Sequence, residues 1–300
     1  MSNRSPYPSP APGTMNRLRR VARAPRLAPV LLHPRVRHVV ARALALRFLA
    51  AARQTTDPLD FVRAELLGQA VRPRQGLHTL RGSGQRILVT HGRDLEAFYE
   101  LFHRGEYVPP GDVASLLGPH QVSTVLDIGA NVGMFSIWAS TRWPQARIVA
   151  FEPDPSNVAT MRDCLAASGV TVDLVEAAAG TQDGEVTFAG DLGGGSHVAR
   201  PGEAGFSVPM VDIFDHLDGA DLVKIDIEGG EWPILADPRL AHAKVRVLAM
   251  EYHRVGAPFL PALDAARAAL EGAGFTTGFA RPNEWGHGIL WAWRPDPAEG

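Results

Sequence analysis

The stretch that most limits what this chain can fold into is residues 122–154, VSTVLDIGANVGMFSIWASTRWPQARIVAFEPD. Val122, Val125, Leu126 and Ile128 make a short, β-branched apolar run that suits a strand buried on both faces of a parallel sheet. Gly129 and Gly133 then bracket a tight turn. Residues 134–143 carry apolar side chains at helical spacing until Pro144 stops them, and 147–151 read as a second strand. The pattern predicts a β-α-β unit, whose crossover is right-handed and whose ligand sits at the carboxyl ends of its strands.

Glu152 ends the second strand, 25 residues after Asp127, where a doubly wound fold sets an acid on a ribose diol. That predicts an adenosine-type cofactor, and both a dinucleotide and S-adenosylmethionine (SAM) carry the ribose. The turn separates them. A pyrophosphate needs bare backbone amides at a helix N-terminus and is repelled by a neighbouring acid. Here Asp127 stands just before the first glycine, and Gly129-Ala-Asn-Val-Gly133 lacks the middle glycine of the dinucleotide fingerprint. SAM has no phosphate and carries a sulfonium and an ammonium, which an acid attracts. The turn therefore favours SAM over NAD, with an α/β domain whose crevice binds nothing as the bland alternative.

One sizeable domain with an appendage is what 300 residues at 45% hydrophobic content allow. Cys164 is the single cysteine, so there is no internal disulfide framework and no cysteine-rich zinc site, and a reducing, cytoplasmic setting is expected. Residues 1–56 hold eleven arginines and no acid; the other 244 hold 19 basic and 32 acidic groups, a balance of −13 against −2 for the whole. An acidic body argues against a nucleic-acid partner, which needs a basic face. The basic leader, 1–56, reads as a partly disordered tail that includes a basic amphipathic helix over 34–53. A transit peptide or a segment for an anionic surface has a similar composition. No run reaches 18 apolar residues, so no transmembrane helix is expected.

Residues 57–110 read as helices and a hairpin forming a lid or edge before the crevice. Asp57 and Asp94 are expected to cap helices over 59–67 and 95–102, and strands at 77–80 and 86–90 flank Gly82-Ser-Gly84. The domain proper is 111–295. Within it a helix runs from Pro155 to a stop at Gly169, with Cys164 inside as a core residue rather than a nucleophile. Strands follow at 170–175, 185–189, 208–211, 221–226 and 245–250, and Ala178 stands among small residues where an adenine ring can slide against backbone. Gly193 to Gly195, before Ser196 and His197, read as a mobile loop. The last two strands, 275–279 and 288–293, are joined by a short turn and so pair antiparallel. The fold class is α/β: a seven-stranded Rossmann-like sheet with an antiparallel last strand and an N-terminal helical and hairpin extension.

Four motifs in this order, VLDIGANVGMFS at 125–136, AFEPDP at 150–155, VKIDIEGGE at 223–231 and EYH at 251–253, resemble the FkbM-type SAM-dependent methyltransferases over residues 77–293. The resemblance implies a class I methyltransferase fold, SAM as donor, and methyl transfer to oxygen, often a hydroxyl on a sugar, polyketide or related secondary metabolite. By position, it implies that Asp127, Gly129, Asn131 and Gly133 frame the methionine part of SAM and that Glu152 binds the ribose.

A hydroxyl is a poor nucleophile at its own pKa, so a base or a metal must help it. The candidates are Asp226, Glu228, Glu251 and His253, which two central strands deliver to one crevice. His253 can take the proton as general base, oriented by a carboxylate. Alternatively Asp226, Glu228 and Glu251 hold a hard divalent ion, Mg²⁺ by ligand type, that lowers the hydroxyl pKa. Glu231 reads as helix N-terminal charge. Tyr107, His197, Trp285 and His287 are further candidates to touch the acceptor. No Asp/Asn-Pro-Pro-aromatic motif follows the fourth strand and no Pro-Cys occurs, which sets aside amino-group methylation of adenine or glutamine and carbon methylation of cytosine. The expected acceptor is a small-molecule hydroxyl, with a small amine behind it, and homo-oligomers are compatible with the sequence. The rival is a non-catalytic SAM-fold scaffold, which has no need of the polar cluster at 226–253.

Overall fold

The structure, a computed structural model, describes residues 46–190, 195–200, 202–283 and 286–294. Its centre is a seven-stranded sheet of β3 (Thr124–Ile128), β4 (Arg147–Phe151), β5 (Asp173–Val175), β10 (Leu222–Ile225), β11 (Val247–Tyr252), β12 (Thr276–Pro282) and β13 (Gly288–Trp293). Their order across the sheet is β12-β13-β11-β10-β3-β4-β5. Only β13 runs against the rest, pairing antiparallel with both β11 and β12. This is the arrangement expected from the sequence, with β11 running two residues further than expected and β5 three residues shorter at its start.

Strand periodicity sorts the core. Val125, Ala150, Leu222, Val247, Ala249 and Trp291 face one apolar layer, and Leu126, Ile128, Val149, Phe151, Val223, Ile225 and Leu248 face the other. Successive side chains alternate faces, so an unbroken apolar run serves a sheet covered on both sides. Each fully buried Leu, Ile, Val or Phe of these layers contributes about 1.5–3 kcal/mol.

The N-terminal part shares the first of these layers. A helix at 46–52, α1 (Pro58–Ala70) and the antiparallel hairpin β1 (Arg74–Thr79) and β2 (Arg86–His91) bring Phe48, Phe61, Ile87 and Val89 into one cluster with Val125 and Ile137. β2 docks on α5 (Pro155–Ser168), where the Cys164 thiol donates to Leu88 O at 3.3 Å and Gln85 Nε2 to Ser168 O at 2.7 Å. Between β2 and β3 lie α2 (Leu95–Phe98), a π-helical turn (Tyr99–Arg104) ended by left-handed Gly105, and α3 (Gly111–Ala114); α4 (Met134–Arg142) follows β3. Asp57 and Asp94 do not cap helices with their side chains. Asp57 lies 2.7 Å from His78 Nδ1, and Asp94 accepts from Thr90 N at 2.9 Å. Partners from the hairpin outcompete the local helix amides.

The strands expected at 185–189 and 208–211 belong to a second sheet. Here β6 (Ala178–Gly180), β7 (Gly184–Ala189), β8 (His197–Val198) and β9 (Phe206–Asp212) run in the order β6-β9-β7-β8. α6 (Phe214–Leu217) returns the chain to β10, α7 (Glu231–Ala236) follows β10, and α8 (Ala262–Gly272) precedes β12. No described helix is long and apolar enough to cross a membrane.

Candidate active site

The turn between β3 and α4 is built from left-handed backbone. Gly129, Asn131 and Gly133 stand at φ +80°, +52° and +80°. A Cβ on Gly129 would lie 1.9 Å from Asp226 O, so only glycine lets the ends of β3 and β10 meet. The amides of the turn are already donated within the protein: Gly129 N and Ala130 N to Phe151 O, each at 3.0 Å, Gly133 N to Ala130 O, and Asn131 N to Glu152 Oε2 at 2.8 Å. These four amides are engaged within the protein and are not free to hold a pyrophosphate.

Glu152, 4% exposed at the end of β4, also accepts from Asp154 N at 2.9 Å and Asn157 Nδ2 at 3.2 Å. Burial pushes its carboxyl up to about 7 against the three N–H donors that hold it down. Asp154 caps α5 through Ser156 N with Pro155 in the first turn, and left-handed Gly169 ends that helix as expected.

Asp127 does not offer a free charge to the crevice. Its side chain is fully buried, takes a hydrogen bond from Ser136 Oγ at 2.7 Å, and lies 3.2 Å from Lys224 Nζ. The parallel register of β3 and β10 sets residues 127 and 224 side by side. Lys224 also donates to Gly129 O at 2.6 Å and lies 3.7 Å from Asp226. Burial works against its charge, but Asp127 and Asp226 together raise its pKa, so it is an ammonium tying the glycine turn to β10. Lys224 has no role among the residues expected from motifs, although a lysine inside an apolar, doubly covered strand requires an internal partner.

The carboxyl ends of β10 and β11 bring together Asp226, Glu251 and His253, one donor atom of each lying within 4.8 Å of the others. Glu228, at φ +53°, is not one of this trio; its Oε2 is 3.7 Å from His253 Nε2. His253 is 2% exposed. Its Nδ1 lies 3.1 Å from Glu231 Oε1, which also accepts from His253 N at 2.8 Å, while Glu231 Oε2 accepts from Gly229 N at 2.9 Å. Glu231 is fully buried and does more than charge a helix terminus: it fixes the ring so that Nε2 faces Glu228 and Glu251, at 3.7 and 3.9 Å. Burial alone would lower the His253 pKa; Glu231, Glu251 and Glu228 raise it well above the ordinary value. Burial and then Asp226 push Glu251 up to about 8, and burial lifts Glu228 to about 7. His287, whose ring centre lies 5.1 Å from that of His253, is pushed down to about 4 by burial and then by His253.

Tyr107 is 8% exposed and packs edge-on against Phe135 at 5.1 Å. Its hydroxyl is buried without a hydrogen-bond partner among the described residues. Burial, then the charges of Asp226 and Glu251, raise its pKa well above the ordinary value. Two other candidates have partners in the second sheet and its loop. His197 lies 2.9 Å from Gly195 O and 3.0 Å from Glu203, and Ala178 packs with Phe188 and Val208. Trp285, Gly193 and Gly194 lie outside the described residues.

The strand order, the glycine turn at its carboxyl edge and the acid ending β4 define a class I, Rossmann-like, SAM-dependent methyltransferase domain. The Methyltransferase FkbM domain matches residues 127–277, half of the chain, and the chain belongs to that family. It is 31% identical over 222 residues to the AMB antimetabolite synthetase AmbE of Pseudomonas aeruginosa, covering 57% of this chain and 10% of that one. It is 52% identical over 31 residues to Methyltransferase sdnD of Sordaria araneosa, covering 10% and 12%. The chain thus matches about a tenth of the length of these curated relatives. Solved structures similar to it include the O-methyltransferase TomG from Streptomyces achromogenes in complex with SAM, at TM-score 0.38 and 20% identity over 65% of this chain and 86% of that one. The precorrin-6y C5,15-methyltransferase of Geobacter metallireducens has TM-score 0.34 and 25% identity over 60% and 87%.

Proposed function

We propose that this domain transfers the methyl group of SAM to a hydroxyl oxygen of a small molecule. The observation that carries the proposal is the Asp226, Glu251 and His253 cluster, aimed by Glu231 and set beside the glycine turn. The residues fit SAM: the turn has four amides engaged and adds no basic side chain to the crevice, while Glu152 ends β4 where a ribose diol docks. Bound SAM supplies an electrophilic methyl carbon, which the acceptor oxygen takes as the carbon–sulfur bond breaks and its electron pair stays on sulfur.

The chain's own residues do the rest. Gly129, Asn131 and Gly133 shape the rim for the methionine part, and Asp127 acts on it through Lys224, which anchors Gly129 O. The cluster at 226–253 removes or weakens the hydroxyl proton, with His253 Nε2 and the Asp226 and Glu251 carboxylates in reach of one another. Much of the acceleration then comes from holding the acceptor oxygen in line with the methyl carbon. A small-molecule acceptor is supported by AmbE, a relative described as a synthetase of an antimetabolite.

The test is product analysis with methyl-¹³C SAM and a panel of hydroxylated and aminated small molecules. A carbon-13 resonance of a methyl ether, lost by about 100-fold in His253→Ala while SAM affinity stays, is the expected result. Label on nitrogen would reassign the acceptor atom. Bound SAM with no transfer to any acceptor would favour the scaffold.

A further inference from the structure

We infer that Asp226, Glu251 and His253 form a site for one divalent cation, an inference that takes its purpose from the methyl-transfer reading but not its geometry. Donor atoms held by a small six-coordinate ion at about 2.1 Å stand roughly 3 to 4.2 Å apart. The three donors here lie within 4.8 Å of one another, so gathering them on an ion asks for a closure of up to about 1.8 Å, within reach of side-chain rotation. Of the expected set Asp226, Glu228 and Glu251, Glu228 stands outside the trio and His253 joins the two carboxylates instead.

His253 is presented as a metal-binding imidazole is. A carboxylate oxygen only accepts, so the Nδ1 facing Glu231 carries a proton and Nε2 is the nitrogen left for an ion, which displaces the proton that the surrounding carboxylates favour there. Glu231 is itself locked by two backbone amides, the carboxylate–imidazole–metal arrangement in which an outer carboxylate fixes the tautomer. The distances from Nε2 to Glu228 and Glu251, 3.7 and 3.9 Å, are too long for hydrogen bonds and suit donors arranged around an ion.

A second, independent observation is Tyr107. Its ring packs 5.1 Å from Phe135, whose face Lys224 Nζ approaches at 6.0 Å beside Asp226, and its buried hydroxyl lacks a partner among the described residues, which an oxygen bound to an ion there would supply. Charge agrees. Glu228, Glu231 and Glu251 lie against one imidazole, and Lys224 is shared between Asp127 and Asp226. Two carboxylates with one imidazole suit Mn²⁺ better than Mg²⁺, which prefers oxygen alone. An acceptor hydroxyl on such an ion loses its proton more easily.

The experiment titrates the full chain, stripped with EDTA, with Mn²⁺ and reads free Mn²⁺ by electron paramagnetic resonance, alongside SAM binding by equilibrium dialysis. The expected result is one Mn²⁺ per chain, affinity lower by about 100-fold in Glu251→Gln, and SAM affinity unchanged in that variant. Should Glu251→Gln fail to fold, Asp226→Asn reads the same site. Wild-type protein that binds SAM but no Mn²⁺, or a folded Glu251→Gln that binds Mn²⁺ as well as wild type, overturns the inference. Mn²⁺ binding without SAM binding supports the ion site and counts instead against the methyl-transfer reading.

Discussion

Lys224 is the residue on which the two halves of the site join. It lies 4% exposed between Asp127 at 3.2 Å and Asp226 at 3.7 Å, with Gly129 O as a third partner. Removing one member of a buried pair leaves the other charge without compensation, at a cost of about 3–5 kcal/mol. Lys224→Met keeps the stem and removes the charge, so denaturant unfolding should show a loss of that size. A loss below about 1 kcal/mol would mean that Asp127 is held by Ser136 alone. Gly129, Asn131, Gly133 and Glu152 were legible in the sequence because a turn and a strand end are local features. Lys224 and Glu231 were not, because their partners come from other strands and only the register of β3, β10 and β11 reveals them.

At the scale of elements, the N-terminal hairpin holds a chain of four polar groups, of which Glu65, His78 and His91 are buried and Asp57 is partly exposed. Asp57 lies 2.7 Å from His78 Nδ1, His78 Nε2 lies 2.8 Å from His91 Nε2, and His91 Nδ1 lies 3.0 Å from Glu65. Phe61 packs on both rings and Gln69 and Gly92 N bond Glu65, so water does not substitute. With both Nδ1 atoms facing carboxylates, the facing Nε2 atoms share one proton, and a second would set two N–H groups head to head. Burial lowers the His78 pKa, against Asp57, which raises it, with His91 adding to the lowering and Asp60 opposing it. A histidine with a lowered folded pKa contributes stability above its unfolded value of about 6.5, and that stability is lost as pH falls through the folded value. The stability difference between wild type and His78→Gln should therefore shrink between pH 7.5 and pH 5 in chemical denaturation. A constant difference would contradict the shared proton. Strand periodicity found this hairpin, yet it failed to place β7 and β9, because alternation identifies a strand without saying which sheet receives it.

For the whole molecule, two apolar layers clamp one sheet whose carboxyl edge gathers acids, and the N-terminal hairpin is bound into the same core. The antiparallel β13 and the position of Glu152 were readable from turn lengths and spacing. The cluster of Asp226, Glu251 and His253 was readable as composition, but its geometry depends on Glu231, buried from the start of α7. The central claim is that this edge binds an adenosyl sulfonium rather than a dinucleotide. Thermal unfolding in the presence of SAM, S-adenosylhomocysteine or NADH tests it most directly, since a ligand of the folded state at a hundredfold excess over its Kd stabilises by about 2.7 kcal/mol. The account predicts a raised Tm with both adenosyl ligands and none with NADH; a rise with NADH alone, or with none of the three, would contradict it.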